Sequence, residues 1–365
     1  MKRIIFVVTS LNSGGIENYL LRFLTFFDGE IKPIVICKGN VYGELEHDFR
    51  KIKQIKLIKF DYGFYNPVSI YKMYNFFKYY KSYSVCDFTG NFAGLILLTS
   101  KLAHNNTRLA FYRGSTNHFD ETRVKLLYNN IMRYLVKQNA TKILSNSYSA
   151  LDYFFSDRDK NNPRYKVIYN GIDAENYKVN NPKFIKEDFG IPLNAFVIGH
   201  TGRYNSAKNH DTILKVADIL CNKYSDIYFM LCGRDTELFL SRTISNNSVL
   251  NDKVKTLGYR DDIQELLSVF DLFFFPSITE GQPNSVIEAM ISGLPIVASN
   301  INPIKETTPI CLHKELIAPL NVEGFCDRIE EYYLSEKKRE KNNFSVWAIE
   351  RFNPNILFNQ FYNEL

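Results

Sequence analysis

The chain has no apolar run that approaches the roughly 18 to 20 residues needed to span a bilayer. Its first residues, Met1-Lys-Arg-Ile-Ile-Phe-Val-Val, lead into a polar, glycine-rich turn, as a first β-strand does and a signal peptide does not. Both absences argue against a membrane-spanning or secreted protein. We therefore expect the protein to stay in the cytoplasm.

The sequence also lacks the patterns of a metal or redox centre. Its six cysteines form no CxxC pair, and four of them, Cys37, Cys86, Cys221 and Cys232, lie in apolar or mixed segments, so we expect reduced core residues. The six histidines do not stand at ligand spacing with carboxylates or cysteines. The sequence therefore predicts no metal site and no cofactor.

Charge is distributed unevenly along the chain. Residues 1–170 contain 25 Lys/Arg against 13 Asp/Glu, a net charge of +12, whereas the remainder contains 20 against 26, a net charge of −6. The basic half indicates a polyanionic partner, either a membrane surface with anionic lipids or a phosphorylated acceptor. Nucleic acid is disfavoured because no nucleic-acid motif is present. A generally solvated basic surface is the plain alternative.

Strand-like and helix-like segments alternate along the whole chain, which is typical of parallel α/β sheets, and the length favours two domains. A polar stretch containing Pro182 places the boundary near residue 180. We expect two doubly wound, Rossmann-like domains over 1–180 and 181–343, and a helical segment over 344–365 that packs back on the first. The predicted strands cover residues 3–9, 32–37, 55–60, 83–88, 108–112, 142–145 and 166–169, then 195–200, 227–232, 254–258, 272–275 and 295–298.

The most informative segment is Glu-Gly-Gln-Pro-Asn-Ser-Val-Ile-Glu-Ala-Met at residues 280–290, which places two carboxylates eight positions apart. It follows the apolar run 271–275, which predicts a buried parallel strand. The turn should then lie at the carboxyl end of that strand, where open α/β sheets bind ligands. Glu280 is expected to face a ligand cleft.

The same segment predicts a helix start. Asn284, Ser285 and Val286 would supply free backbone N–H groups there, which form a ready anion site. Glu288 is a candidate acceptor for a ribose diol, the role that acidic residues have in other nucleotide sites. The alternative is a capping box, in which Glu288 reaches back to the Ser285 amide.

The second domain opens with a strand that runs through Gly202 into a loop carrying Arg203 and Lys208. Two cations at the carboxyl end of a strand suit a diphosphate. An ion pair at about 4 Å is worth on the order of 4 kcal/mol at an effective dielectric constant of about 20. A helix dipole supplies only about 0.3 to 1 kcal/mol, so the two cations would contribute most of the electrostatic free energy of diphosphate binding. The alternative is that both are solvated loop cations.

Two further segments of the first domain carry weaker signals. Ser10-Leu-Asn-Ser-Gly-Gly-Ile-Glu17 joins the first strand to a helix, and Gly14-Gly15 would let backbone approach a ligand closely, although a tight turn without a ligand has the same pattern.

Residues 67–83 predict a helix with lysines 72, 78 and 81 among many aromatics, which suits a membrane interface. An ordinary amphipathic helix that covers the sheet is the alternative.

Taken together, the motifs resemble those of GT-B glycosyltransferases, specifically the large retaining family 4 group that includes many bacterial polysaccharide-assembly enzymes. The resemblance covers nearly the whole chain, and the Glu-x7-Glu spacing is its most specific part. The matching residues are Gly14-Gly15-Ile-Glu17, Ser145-Asn-Ser147, Asn170-Gly-Ile-Asp173, Gly202-Arg203 with Lys208-Asn209, Gly258-Tyr-Arg-Asp-Asp262, Asp271 to Ser277, and Glu280 to Met290.

The resemblance implies a nucleotide-sugar donor, with UDP before GDP, bound mainly by the second of two domains that face each other across a cleft. Arg203 and Lys208 would contact the diphosphate, Glu288 the ribose, and Glu280 the hydroxyls of the transferred sugar, with these two cations and Glu280 as the catalytic set. The implied donor-binding residues are Gly14, Gly15, Gly202, Arg203, Lys208, Tyr259, Arg260, Glu280, Gly281, Asn284, Ser285, Val286 and Glu288.

The acceptor would bind to the basic first domain. It is implied to be a saccharide, linked to a polyprenyl diphosphate and met at the inner face of the cytoplasmic membrane, in capsule, O-antigen or exopolysaccharide synthesis. Glu17, Asn91, Arg113 and His118 are the candidates on the acceptor or phosphate side. The family often places a histidine after a late strand of this domain, and either Arg113 replaces it or His118 lies slightly downstream. Arginine does not act as an acid or base at ordinary pH but stabilises phosphate charge.

Retention of configuration needs no protein nucleophile, because the departing diphosphate can accept the proton of the acceptor. Asp157-Arg-Asp159 resembles the metal-binding DxD motif of another glycosyltransferase fold, but its polar surroundings favour a loop.

Two other classes of protein stay open: a GT-B epimerase acting on free nucleotide sugar, and a non-catalytic nucleotide-sugar binding protein. The basic first half argues mildly against the first and the intact donor motifs against the second.

Overall fold

The chain folds as two compact units. A computed structural model describes residues 1–61, 66–116, 121–177, 184–335, 340 and 343–365. The first unit comprises Met1–Gly171 and Pro354–Leu365, and the second comprises Ile172–Asn353. The predicted boundary at residue 180 lies outside the described residues, and the contacts divide the chain earlier, after Gly171.

The first unit is built on a seven-stranded parallel sheet in the order β3-β2-β1-β4-β5-β6-β7. The register pairs Ile4 of β1 with Pro33 of β2 and with Ser84 of β4. The strands are β1 (Lys2–Val8), β2 (Ile31–Cys37), β3 (Lys56–Lys59), β4 (Ser84–Asp87), β5 (Arg108–Tyr112), β6 (Lys142–Ser145) and β7 (Tyr165–Val167). The helices are α1 (Gly15–Phe26), α2 (Glu46–Arg50), α3 (Pro67–Tyr79), α4 (Gly94–Leu102), α5 (Arg123–Asn139), α6 (Tyr148–Phe154) and, at the end of the chain, α15 (Pro354–Glu364).

Helices cover both faces of this sheet, because the central strand β1 buries apolar residues from Ile4 to Val8 toward both faces. Ile4, Phe6 and Val8 of β1 pack in one core with side chains of α1 and α15. Ile5 and Val7 of the same strand pack in another core with α3 and α4. A third core joins α4, α5 and α6 to β5 and β6. Helices α3, α4 and α5 therefore form one layer, and α1 and α15 lie on the opposite face.

The second unit is built on a five-stranded parallel sheet in the order β10-β9-β8-β11-β12. Its core contains apolar residues of β8, β9 and β11 packed against α7 and α13. The strands are β8 (Phe196–Thr201), β9 (Ile227–Cys232), β10 (Val254–Thr256), β11 (Leu272–Phe275) and β12 (Ile296–Ala298). The helices are α7 (His210–Lys223), α8 (Thr236–Ser245), α9 (Ser248–Lys253), α10 (Ile263–Leu267), α11 (Asn284–Ile291), α12 (Asn302–Thr307), α13 (Val322–Tyr333) and α14 (Ser345–Arg351).

The terminal segment 344–365, predicted as a helical segment that packs back on the first domain, is divided between the units. The Ser345 hydroxyl at the start of α14 donates to the Ile291 carbonyl, 2.8 Å away, within the second unit. Helix α15 returns to the first unit, where the Phe361 ring lies 4.6 Å from that of Phe23. Gly171 permits this return, because a Cβ atom there would lie 2.8 Å from the Cα atom of Pro354.

Each of the twelve predicted strands is confirmed to within two residues at either end. The four cysteines predicted in the core are buried as free thiols, as is Cys326, whereas Cys311 is exposed. Helix α3 buries Ser69, Met73 and Phe77, as an amphipathic helix that covers a sheet does. The Asp157-Arg-Asp159 segment lies in a turn region, as predicted, with Asp157 paired to Lys137 at 2.6 Å.

Candidate functional site

The carboxyl ends of four neighbouring strands in the second unit bring the predicted donor residues together. The loop after β8 starts at Gly202, whose N–H donates to the Cys232 carbonyl at the end of β9, 2.8 Å away. The loop after β9 bonds to the loop after β10 through the Gly233 N–H and the Gly258 carbonyl at 2.7 Å. The Ile278 N–H, after β11, donates to the Ala207 carbonyl at 2.8 Å. The four loops thus form one continuous edge.

Lys208 and Glu280 meet at the middle of this edge, although 72 residues separate them. The Lys208 Nζ atom lies 2.7 Å from Glu280 Oε1, and the two side chains are 16% and 11% exposed. The same Nζ atom lies 4.6 Å from the centre of the Phe275 ring at the end of β11. Lysine and glutamate form a partly buried ion pair, so each charge is compensated before any ligand arrives.

Asparagines fix the loop that carries Lys208. The Asn205 side chain accepts a hydrogen bond from the Lys208 N–H at 3.0 Å. Asn209 has a φ of 57° and begins α7, a left-handed conformation that asparagine tolerates better than most residues. Its amide donates to the Pro276 carbonyl at 3.0 Å and to the Pro319 carbonyl at 2.8 Å. The loop is therefore held to the strand that leads to Glu280.

Helix α11 begins at Asn284 with Pro283 as its N-cap, and no side chain caps it. The capping-box alternative for Ser285 and Glu288 is therefore wrong, because Ser285 lies inside the first turn. The prediction that the Val286 N–H is free is also wrong, since this group donates to the Pro283 carbonyl at 3.1 Å. The first N–H groups of a helix otherwise have no intrahelical acceptor, which leaves that of Ser285 as the anion-binding candidate.

The remaining donor candidates lie on the same edge. Gly281 and Glu288 are partly buried, one just before α11 and one in its second turn. Arg203 is exposed, and its guanidinium makes no hydrogen bond or ion pair to the residues that the structure describes. Arg203 therefore keeps an uncompensated charge directly after the strand.

The loop after β10 turns at Gly258, which has a φ of 59°. Tyr259 follows and is 52% exposed. The Arg260 guanidinium is held by its own loop through two hydrogen bonds to Asp262, at 2.8 and 2.6 Å. Tyr259 thus offers an accessible ring beside the edge, while Arg260 shapes the loop.

The sequence analysis predicted no role for two histidines that flank Lys208 in the sequence. The rings of His200, in β8, and His210, at the start of α7, lie 5.2 Å apart in an edge-to-face arrangement. Burial, with a smaller contribution from the Lys208 cation, lowers the pKa of His210 to about 4. Burial and the neighbouring His210 lower the pKa of His200 well below its ordinary value. The signal was a polar residue at an inward position of an apolar strand.

In the first unit, the loop after β1 leads through Gly14 and Gly15 to α1. A Cβ atom at Gly14 would lie 2.7 Å from Glu17 Oε2, whereas nothing lies within 4 Å of one at Gly15. The Glu17 carboxylate thus occupies the space beside Gly14. Of these two glycines, only Gly15 has space beside it for a ligand to approach the backbone closely.

Arg113 follows β5 at the same edge and is enclosed by aromatic rings. Its guanidinium carbon lies 3.8 Å from the centre of the Tyr19 ring and 5.0 Å from that of Phe111. Its Nε and Nη1 atoms are buried without a hydrogen-bond partner among the described residues. Burial lowers the pKa of Arg113 to about 10, so it stays cationic at neutral pH. His118, the other candidate for the family histidine, lies outside the described residues.

Asn91 is 5% exposed, and its amide is used inside the unit. It donates to Asn129 Oδ1 at 3.0 Å and accepts from the Tyr112 hydroxyl at 2.7 Å. We therefore assign Asn91 to the packing of the 3₁₀ turn at Gly90–Ala93 against α5 and β5, and no longer to the acceptor side.

Near it lies a buried pair that the sequence analysis missed. Asp87, at the end of β4, accepts hydrogen bonds from the N–H and hydroxyl of Thr89 at 2.6 and 2.7 Å. Lys38 donates to that hydroxyl at 2.9 Å. Burial raises the pKa of Asp87 and lowers that of Lys38. These residues fix the loop after β4.

The described residues contain neither a candidate metal site nor a candidate membrane span. Within them, no group of three or more His, Cys, Asp or Glu side chains is placed to hold a metal ion. No helix of that part of the chain is long and apolar enough to cross a bilayer.

Comparison with known proteins identifies the second unit. Residues 181–343 match the family model for glycosyl transferases group 1. The second unit is a group 1 glycosyltransferase domain. The region matched contains the whole β8–β12 edge, including the Lys208–Glu280 pair.

Similarity extends beyond this domain. The chain is 25% identical to the capsular polysaccharide biosynthesis glycosyltransferase CapH of Staphylococcus aureus over 96% of both chains. It is 32% identical to the UDP-Gal:alpha-D-GlcNAc-diphosphoundecaprenol alpha-1,3-galactosyltransferase of Escherichia coli, over 38% of this chain and 37% of that one. The crystal structure of Anabaena Alr3699/HepE with UDP and glucose matches with a TM-score of 0.81 at 20% identity, over 100% of this chain and 99% of that one. The glycosyltransferase has the GT-B fold, as predicted.

Proposed function

We propose that this glycosyltransferase transfers a sugar from a nucleotide-sugar donor, a UDP-sugar before a GDP-sugar, to a saccharide linked to a polyprenyl diphosphate. The reaction retains anomeric configuration, needs no metal, and takes place in the cytoplasm at the inner face of the membrane. The names of the E. coli and S. aureus relatives support a UDP-sugar donor, a lipid-linked acceptor and a place in cell-surface polysaccharide synthesis.

The observation that carries the proposal is the Lys208–Glu280 pair. A carboxylate close to a donor diphosphate would repel it, unless a cation stands between them. Lys208 compensates Glu280, so that Glu280 can accept hydrogen bonds from sugar hydroxyls beside the diphosphate. The same Nζ atom can donate to a phosphate oxygen, because an ammonium group has three N–H donors.

In the proposed reaction, the bond between the anomeric carbon and the diphosphate oxygen breaks while the acceptor hydroxyl attacks the same face of the sugar. The departing diphosphate oxygen takes the proton of that hydroxyl, so no side chain has to act as nucleophile. Negative charge grows on the leaving diphosphate as the sugar becomes oxocarbenium-like. Arg203, Lys208 and the Ser285 N–H in the first turn of α11 stabilise that charge, and their effect is largest in the transition state.

The other candidates complete the proposed donor site. Glu288 accepts from the ribose hydroxyls, and Tyr259 lies beside the base, with Arg260 holding that loop. Gly202 leaves room for the Lys208 side chain, because a Cβ atom there would lie 3.2 Å from the Lys208 Cδ and Cε atoms, and Gly281 follows Glu280 directly in the proposed site. In the first unit, Gly15 allows close backbone approach, and Arg113 supplies a fixed cation for phosphate charge beside Glu17.

Calorimetric titration with UDP, GDP and ADP tests the donor site. We expect one nucleotide to bind, UDP first, and Glu288→Ala to weaken binding about tenfold, as the loss of a charge-assisted hydrogen bond does. Glu323→Ala is the matched control, because Glu323 is an exposed carboxylate in the first turn of another helix, α13. Equal affinity of both variants would remove Glu288 from the site.

Product analysis separates the proposal from its alternatives. Transfer to a polyprenyl-diphosphate-linked saccharide, undiminished by EDTA, supports it. Conversion of the free donor to its epimer supports the epimerase, and nucleotide binding without turnover on any acceptor supports the non-catalytic protein. Inversion of the anomeric centre would refute the retaining mechanism but not the transferase.

A further inference from the structure

The helical layer formed by α3, α4 and α5 contains no acidic residue, whereas α6, which packs in the same core as α4 and α5, contains Asp152, paired with Arg158 at 2.7 Å. Helices α1, α2 and α15 of the same unit each contain at least one. Between Asp61 and Asp120 the single acidic residue is Asp87, which is buried. The layer carries seven cationic residues: Lys72, Lys78, Lys101, Arg123, Lys125, Arg133 and Lys137. These three helices, with seven of the 25 Lys/Arg of residues 1–170 and no carboxylate, therefore contribute +7 of the net charge of +12.

Helix α5 adds an exposed apolar stripe to this charge. Val124, Leu127, Ile131 and Tyr134 are 78%, 63%, 47% and 61% exposed. Their spacing of three, four and three residues places them on one side of the helix. The buried side of α5 carries Asn129, Met132, Val136 and Asn139 instead. Leu126, Tyr128 and Leu135 are partly buried, so α5 is apolar toward the sheet and, unlike an ordinary surface helix, also along one line of its solvent side.

Cations flank the stripe. Arg123 and Lys125 are exposed in the first turn of α5, and Arg133 and Lys137 are partly exposed further along. Lys137 is paired with Asp157 at 2.6 Å, and Glu121 lies just before the helix, so the positive charge is reduced but not cancelled. An apolar stripe bordered by Lys and Arg is typical of a helix that lies in the surface of an anionic bilayer.

The second unit has no comparable helix among its described residues. Its most exposed apolar side chains are spread over different segments: Leu238, Ile310, Leu320, Leu334 and Val346, at 71%, 84%, 72%, 70% and 72%. On α8, Leu238 and the 54% exposed Phe239 are adjacent in sequence and follow Glu237, so they form no stripe at helical spacing. Helix α13 of that unit carries Glu323, Asp327, Glu330 and Glu331. The combination of an exposed apolar stripe with a layer free of carboxylates is therefore a local feature of the first unit.

We propose that the outer face of α5, Val124, Leu127, Ile131 and Tyr134 with Arg123 and Lys125, docks on an anionic lipid bilayer. The proposal rests on the proposed lipid-linked acceptor and names the surface through which the enzyme meets it. Helix α5 follows β5, so its N-terminal end lies toward the sheet edge that carries Arg113. Docking there would bring the acceptor edge of the first unit near the headgroups.

Helix α3 is a secondary contact in this arrangement. Its exposed apolar residues, Val68, Tyr71 and Tyr79, are interrupted by Lys72 and Lys78.

A second copy of the chain is the other occupant to consider. A symmetric dimer through this face would place two carboxylate-free cationic layers against each other, and their repulsion argues for lipid instead.

Flotation with vesicles tests the surface directly. The purified full chain is mixed with vesicles of phosphatidylglycerol and phosphatidylethanolamine, or with neutral phosphatidylcholine vesicles. We expect flotation with the anionic vesicles alone and a loss at 1 M salt. The double variant Leu127→Ser, Ile131→Ser should lower vesicle partitioning about tenfold or more, because burial of each such side chain contributes substantially to partitioning. Ile310→Ser with Leu334→Ser is the matched control and should float as the parent does.

UDP affinity, near-ultraviolet circular dichroism and transfer to a water-soluble acceptor fragment should be unchanged in the Leu127/Ile131 variant, which separates lost docking from lost folding or catalysis. Equal flotation of parent and variant, or no flotation of the parent, overturns the proposal. A concentration-dependent dimer that the substitutions abolish, without vesicle binding, also overturns it in favour of self-association. Vesicle binding by a protein that transfers no sugar leaves this surface standing and refutes the proposed function instead.

Discussion

The two sheet edges hold their cations in different ways. In the second unit, Lys208 is paired with Glu280 at 2.7 Å, so the edge is close to neutral at that point. In the first unit, Arg113 lies 3.8 Å above the Tyr19 ring, and its buried Nε and Nη1 atoms have no partner among the described residues. A paired lysine can exchange its partner as charge moves during a reaction, whereas a stacked arginine offers a charge of fixed position and direction. The first arrangement suits a reacting diphosphate, and the second suits recognition of an anion.

The largest effect should come from breaking the second edge. Lys208→Ala should lower kcat about 10² to 10³-fold, the range seen when one preorganised donor to a developing charge is removed. The variant also leaves Glu280 as an uncompensated carboxylate beside the diphosphate. Steady-state turnover with the preferred donor measures it. Lys215→Ala, which removes an exposed lysine from α7, is the control. Similar rates for the two variants would contradict the role of Lys208.

Acid pH should weaken the second unit through the histidines behind Lys208. The pKa of His210 falls from 6.5 to about 4 on folding, so between these values the unfolded chain binds a proton that the folded chain does not. This contribution to the free energy of unfolding is complete above pH 6.5 and is lost, by about 3 kcal/mol, as the pH falls to about 4.

Denaturant unfolding at several pH values checks this expectation. The chain has one tryptophan, Trp347, and it lies in α14 of the second unit, so its fluorescence reports on that unit. His210→Asn should flatten the dependence between pH 6.5 and 4. His47→Asn, in the first unit, should leave it unchanged. An equally steep loss in the His210 variant would show that another group causes it.

A smaller effect is expected from the first edge. Arg113→Lys keeps the positive charge but loses the planar group that stacks on Tyr19, so we expect kcat/KM for the phosphorylated acceptor to fall about tenfold, with donor affinity unchanged. Arg3→Lys, at an exposed position of β1, is the control. If donor affinity falls and kcat/KM for the acceptor does not, Arg113 contributes to donor binding, and the proposed difference between the two edges is wrong.

The strands and the Glu280–Met290 turn could be predicted because their signals are local. Apolar runs of four to six residues define buried parallel strands whatever surrounds them. The pairing of Lys208 with Glu280 could not be predicted, since it depends on the order in which β8 and β11 lie in the sheet. The rings around Arg113 come from α1 and β5, almost a hundred residues apart. The capping-box alternative was wrong for a local reason, because the N-cap is Pro283, two residues before Ser285.

The return of α15 to the first unit has a consequence for synthesis of the chain. Phe358 and Phe361 pack in the same core as Tyr19 and Phe23, and Glu364 pairs with Lys142 at 2.5 Å and Lys166 at 2.6 Å. The first unit therefore lacks part of its interior until residues 354–365 have been translated. The second unit, which is continuous in sequence, can finish folding earlier. A chain shortened to residues 1–353 should therefore combine a folded second unit with a first unit that exposes part of its core to chaperones.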